Sequence, residues 1–103
     1  MSRLAQLEKL YSADPNDADV AYMIAHEHAK TANTPTALHW FDTCLKLNPS
    51  YHYAYYHKAR AQQAAQDIEG AMQTLRLGLE IAQRDGNNKA TNEITSLLHE
   101  LGA

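Results

Sequence analysis

The sequence predicts an all-α protein made of antiparallel helix-turn-helix repeats, about six helices stacked into one domain. Three observations predict it. Proline-containing breaks recur at a fixed interval, apolar residues fall at helical spacing, and small residues repeat at the interval of the prolines. Asp14-Pro15-Asn16-Asp17 and Asn48-Pro49-Ser50-Tyr51 are alike, and their prolines stand 34 residues apart. The same offset pairs Ala25 with Ala59, Ala37 with Ala71, Phe41 with Leu75, Cys44 with Gly78 and Leu45 with Leu79. Size or hydrophobicity is kept in each pair while the polar residues between them drift. A fixed period of roughly 20 to 50 residues marks supersecondary units that bury their apolar faces only by stacking.

The elements follow in order. Leu4, Leu7, Leu10 and Tyr11 lie at helical spacing between Ser2 and Ser12, and Asp14-Pro15 stops that helix. A second helix runs from about Asp17 to Thr31, capped by Asn16 or Asp17. Thr34-Pro35 reads as an N-cap followed by a first-turn proline, whose missing N–H costs nothing there, and the helix it opens reaches about Leu47. Ser50 is placed to cap a fourth helix from about Tyr51 to Ala65, and Asp67 a fifth from about Ile68 to Arg84. Asp85-Gly86 supplies a left-handed stop. A last helix, from about Asn88 to Leu101, sets Ile94, Leu97, Leu98 and Leu101 on one stripe. No segment alternates with a period of two, as a half-buried strand would.

The expected organisation is a single domain, 1–103. It comprises an N-terminal half-repeat helix at 2–13, repeat one at 18–51, repeat two at 52–85 and a C-terminal capping helix at 88–101.

Composition narrows the functional classes. The chain has 103 residues, 45% hydrophobic and 20% charged, with a net charge of -3. No run of Lys or Arg offers the basic face that phosphate neutralisation needs, so no nucleic-acid partner is expected. Nothing approaches the ~20 consecutive apolar residues of a membrane span, so no membrane partner is expected either. The charged, amphipathic start, Met1-Ser2-Arg3-Leu4, does not read as a secretory signal. Cys44 is the single cysteine, which leaves no internal disulfide and fits a reducing compartment. A cytoplasmic protein is the expectation.

With these residues in place, the sequence resembles the tetratricopeptide repeat family, and among its members the small stand-alone proteins of bacterial type. The family pattern sets Trp, Leu-Gly, Tyr, Ala, Phe and Pro at fixed spacings. Repeat one offers Ala21, Ile24-Ala25, His28, Ala37, Phe41 and Pro49 at those places; repeat two offers Tyr55, Lys58-Ala59, Gln62, Ala71 and Leu75, with Gln83 where proline would stand. Lys58 replaces a leucine, and its stem is expected to lie over apolar neighbours while the ammonium reaches water. His28 and Gln62 replace a tyrosine, which is expected to loosen packing between units. The last helix keeps an apolar stripe but not the motif, as a solenoid cap requires. The resemblance implies an α-solenoid with a right-handed superhelical stack.

It also implies a function. In the family, the first helix of each unit lines a concave groove that holds a peptide or helix of a partner. Carried over by position, the groove residues are Asp19, Tyr22 and His26 in repeat one, with Ala29 or Lys30 beyond. In repeat two they are Tyr53, Tyr56, Arg60 and Gln63, with His57 at the margin. Each set lies on one helix face. Tyrosine and arginine combine a large contact area with a polar tip and dominate interface energetics. Tyr55, on a signature position, is read instead as core. The clamp with which some members grip a C-terminal carboxylate would fall on Tyr22, His26, His57, Asn87 and Thr91, none of them the lysine, asparagine or arginine required at its place.

Catalytic and metal chemistry find little support. The six histidines miss the i, i+4 spacing that places two ligands on one helix, and His26-Glu27-His28 is not a zinc motif. Only His26 and His57 are placed to approach each other across neighbouring helices. Cys44 occupies a small buried position and reads as an inert core thiol. The expectation is no enzyme, no cofactor and no metal, but a module that binds an unidentified protein or peptide. The alternative is a structural role through homodimerisation, which would add buried surface to a short solenoid.

Overall fold

The computed structural model describes residues 2–103. It contains six α-helices: α1 (Arg3–Ala13), α2 (Ala18–Lys30), α3 (Thr34–Leu47), α4 (His52–Ala64), α5 (Ile68–Arg84) and α6 (Asn88–Glu100). Among the described residues there is no strand. The helix ends fall within two residues of the places where the sequence punctuation sets them.

Local chemistry explains most of the boundaries. Asp17 caps α2 by accepting from the backbone N–H of Asp19 and Val20, Asp67 caps α5 through Gly70, and Asn87 caps α6 through Ala90. Two expected caps differ. Thr34 is the first residue of α3, with Asn33 at the cap position and no side-chain cap bond. Tyr51, not Ser50, stands at the cap position of α4, with no side-chain cap bond, and the Ser50 backbone N–H donates to Asn48 Oδ1 at 3.0 Å.

The exits of α2, α4 and α5 share one turn, which the exit of α6 repeats at Gly102, where the backbone N–H of Ala103 donates to Leu98 O at 3.0 Å. The backbone N–H of Asn33 donates to His28 O at 3.0 Å, that of Asp67 to Gln62 O at 2.8 Å and that of Asn87 to Ala82 O at 2.9 Å. Each closes around a left-handed residue: Ala32 at φ 58°, Gln66 at φ 66° and Gly86 at φ 69°. This is the Schellman arrangement, and of these three residues Gly86 alone occupies it without a Cβ penalty.

Helices pack as antiparallel hairpins, α2 on α3 and α4 on α5, with α6 closing the stack against α5. The even-numbered helices meet, α2 with α4 and α4 with α6, whereas no Cα atoms of α3 and α5, or of α1 and α3, come within 8 Å of each other. The stack is therefore shorter on its α2/α4/α6 side and curves toward it. The recurrent small residues sit at the tightest approaches: Ala25, Ala37, Cys44, Ala59 and Ala71 are all fully buried. A Cβ on Gly78 would lie 2.7 Å from Tyr55 Cβ, closer than packed carbon atoms stand, so this crossing admits glycine only. Phe41, Ile24, Leu75, Ile94 and Leu97 fill the volume between the layers. Burying such side chains supplies roughly 1.5–3 kcal/mol each. Lys58 keeps its stem under cover while Nζ reaches Asp42 Oδ1 at 2.7 Å. Gln62, expected to loosen the stack, is buried and accepts from Thr74 Oγ1 at 2.7 Å, which ties α4 to α5.

Candidate functional site: the inner face of α2, α4 and α6

The inner face carries a continuous run of rings. Its helices begin with well-placed apolar residues on the buried side, Ala21, Ile24 and Ala25 on α2 and Ala54, Tyr55 and Ala59 on α4. The helical repeat then turns Asp19, Tyr22 and His26, and Tyr53, Tyr56, Arg60 and Gln63, to the opposite side. Tyr22 stacks on Tyr51 with ring centres 5.0 Å apart and stands edge-on to His26 at 5.0 Å. His26 and His57, on neighbouring helices, approach to 4.4 Å between ring centres. His57 is further flanked by Tyr56 at 5.2 Å and Tyr53 at 6.5 Å. Phe41 of α3 closes the floor, 6.1 Å from Tyr22 and 6.3 Å from His26. Offset and edge-to-face pairs of this kind each add about 0.5–1.5 kcal/mol beyond area burial.

Burial sets the charge state of this face. It pushes the His57 imidazole down to about 4, with His26 and then Arg60 adding to the fall. Burial also lowers His26, as does Lys30 close by. Both imidazoles are therefore neutral at pH 7, able to donate and accept hydrogen bonds and to pack as rings. Burial raises the Tyr22 hydroxyl to about 12. Burial and the hydrogen bond from Tyr51 Oη to Asp19 Oδ1, 2.8 Å, raise the Tyr51 hydroxyl as well.

The other end of the face is ionic. Arg60 Nη1 donates to Glu100 Oε2 at 2.8 Å and to Gln63 Oε1 at 3.0 Å, and Nη2 donates to Tyr56 Oη at 3.1 Å. The guanidinium also lies 5.4 Å from the Tyr56 ring centre. An open cleft of about 260 Å³ lies between the two regions, walled by His26, Lys30, His57 and Arg60 over Phe41 and Ala61.

All eight residues assigned from the sequence thus share one side of the stack. Tyr53 is the most exposed of the rings, at 44%. Tyr22, His26, Tyr56, His57, Arg60 and Gln63 are half-buried, and Asp19 is exposed. Tyr55 is core, 5% exposed, with its hydroxyl donating to Pro49 O at 2.8 Å. Cys44 is fully buried, and burial, then the nearby Asp19 charge, raise its thiol to about 12, far from a reactive thiolate.

Sequence reasoning missed two members of the site. Tyr51 stands before α4 rather than on it, so helix-face counting passes over it. Glu100 lies on the capping helix, 40 residues from its partner Arg60. A second polar cluster also went unread: His52 Nε2 meets Asp85 Oδ2 at 2.8 Å while its Nδ1 meets Asn87 Nδ2 at 3.1 Å, pinning the inter-repeat loops together. Among the described residues no three His, Cys, Asp or Glu side chains gather as a metal site would require. No described helix is long and apolar enough to cross a membrane.

Curved stacks of helical hairpins with a side-chain-lined inner face are repeat scaffolds that work through their surfaces. Comparison with known proteins names the repeat. Residues 52–85 match the tetratricopeptide repeat family. Over 95 residues the chain is 26% identical to a tetratricopeptide repeat-containing protein of Pseudomonas aeruginosa, spanning 92% of this chain and 90% of the relative. The solution structure of a tetratricopeptide repeat domain protein from Salinibacter ruber superposes with a TM-score of 0.78 at 28% identity, over 86% of this chain and 90% of that one. The first tetratricopeptide domain of Spaghetti, bound to the HSP90 peptide SRMEEVD, superposes with a TM-score of 0.74 at 25% identity, over 97% of this chain and 78% of that one. Residues 52–85 thus match one tetratricopeptide repeat, and the chain as a whole is similar to tetratricopeptide repeat proteins.

Proposed function

We propose that this protein is a protein–protein interaction module that holds a peptide or helix of a partner against the α2/α4/α6 face, and that it catalyses no reaction. The observation that carries the reading is the unbroken series of half-exposed rings from Tyr22 through His26 and His57 to Tyr53 and Tyr56. Large rigid side chains that are already ordered lose little entropy on binding, which makes them efficient contact surfaces. The peptide held by the Spaghetti domain supports the same use of a similar fold.

The chemistry of the face also shapes the ligand. Positions that would bear a carboxylate clamp carry Tyr22, His26, His57, Asn87 and Thr91, and the imidazoles among them are neutral. Arg60 is already paired with Glu100. The preferred segment therefore presents apolar and hydrogen-bonding groups rather than a terminal carboxylate.

Capture of a partner by the tagged protein from its native cell extract, repeated with Tyr53→Ala and Arg60→Ala combined, tests the reading. Both side chains project from α4 without filling the core, so melting should change little while capture falls at least tenfold. Full capture by the double variant would remove the face from consideration. A homodimer is the second reading, motivated by Leu10, 56% exposed on the end helix α1. Light scattering at micromolar concentration separates the two, because a monomer contradicts obligate pairing.

A further inference from the structure

A larger cleft lies on the other side of the molecule. About 510 Å³ opens in the outer trough between α3 and α5, walled by Leu45, Lys46, Tyr55, Lys58, Thr74 and Leu77. A volume of this size falls in the range of sites that take a small ligand or a large side chain.

The repeat itself shows what such a trough accommodates. The preceding trough, between α1 and α3, is filled from within. There Tyr11 and Trp40 stand edge-to-face with ring centres 4.8 Å apart, packed over Ile24 and Leu7. The same three positions one 34-residue period later are Leu45, Thr74 and Lys58. Two aromatic rings and a buried isoleucine have been replaced by a smaller aliphatic, a hydroxyl and a cation. In both troughs the backbones stand apart, with no Cα atoms of α1 and α3, or of α3 and α5, within 8 Å of each other. The volume that the Tyr11–Trp40 pair occupies in one trough is open cleft in the other.

The walls are suited to a ring. Leu77 is 52% exposed, one of the few large apolar side chains so placed, and it faces the cleft with Leu45. The buried Thr74–Gln62 hydrogen bond forms a polar floor. The rim is positive on balance. Lys58 is satisfied by Asp42 at 2.7 Å, and Lys46, also on the rim, makes no ion pair among the described residues. An acidic group beside the ring would complement that charge.

We propose that the outer α3/α5 trough is a docking pocket for an aromatic side chain, with an acidic neighbour, from a partner polypeptide. It is separate from the α2/α4/α6 face and does not depend on what that face binds.

The probe is N-acetyl-aspartyl-tryptophanamide, titrated into the 15N-labelled full chain. Saturable shifts centred on Leu45, Thr74 and Leu77 are expected, and replacing the probe's tryptophan by leucine, or its aspartate by lysine, should weaken binding at least threefold. Thr74→Trp restores the filled trough and should abolish the shifts. Should that variant fail to fold, Leu77→Asp, at an exposed position, should weaken binding at least fivefold with melting unchanged. The Tyr53→Ala change on the inner face should leave the titration as it was. Shifts that do not saturate, that map to the inner face, or that survive Leu77→Asp would overturn the proposal.

Discussion

The two seams along the inner face are built on the same backbone repeat and held by different chemistry. Between α2 and α4 the seam is aromatic: Tyr22 stacks on Tyr51, and His26 meets His57 over Phe41. Between α4 and α6 it is polar and ionic: Arg60 reaches Glu100 at one end, and His52 reaches Asp85 and Asn87 at the other. The contrast teaches how a short solenoid divides its work. Small residues fix the helix spacing everywhere, so the side chains over the seam are free to differ. The first seam stabilises by burying rings, a contribution insensitive to salt. The second relies on hydrogen bonds around His52 and on the exposed Arg60–Glu100 ion pair, which is worth little and is screened by salt.

The largest break in this contrast is at the floor of the aromatic seam. Phe41→Ala should lower the unfolding free energy by about 3–5 kcal/mol, because a fully buried ring is lost and a cavity remains. Denaturant titration measures it, and the near-ultraviolet signal of Tyr22 and Tyr51 should weaken with it.

Protonation probes the same seam more gently. His57 lies near 4 in the folded protein against an ordinary value of 6.5. The unfolded chain therefore takes up this proton first as the pH falls. Stability is full above about pH 6.5 and declines as the pH drops toward 4. His26, lowered too, acts in the same direction. Allowing for the partial exposure of the ring, the loss from His57 is about 1–2 kcal/mol. Melting followed from pH 7.5 to 4.5 should show it, and His57→Gln should flatten much of the slope.

The ionic seam should respond least. Arg60→Ala or Glu100→Gln is expected to cost under about 1 kcal/mol, and the cost should vanish near 1 M salt. A salt-insensitive loss of several kcal/mol would erase the distinction between the seams.

Much of the architecture was legible in the sequence, for reasons that particular residues make plain. Pro15 and Pro49 cannot continue a helix, Asp17 and Asp67 are strong caps, and the paired small residues declare close crossings. Local signals of that kind survive reading along the chain. The left-handed turns at Ala32 and Gln66 were not legible, because no glycine marks them. Helix-face counting brought the eight inner-face residues together, since all stand on α2 or α4. It missed Tyr51, which precedes its helix, and Glu100, whose pairing with Arg60 depends on how α6 docks. The identity of the face is written in periodicity; its charge state is written in burial, which periodicity does not report.

The central claim is that partners are held on the α2/α4/α6 face. Its most direct measurement is site-specific photo-crosslinking, with a photoreactive phenylalanine at Tyr53 on the inner face and, in a second variant, at Lys9 on the exposed side of α1. With partner present, the inner-face position should crosslink to it and the α1 position should not. Crosslinking from Lys9 with none from Tyr53 would contradict the account.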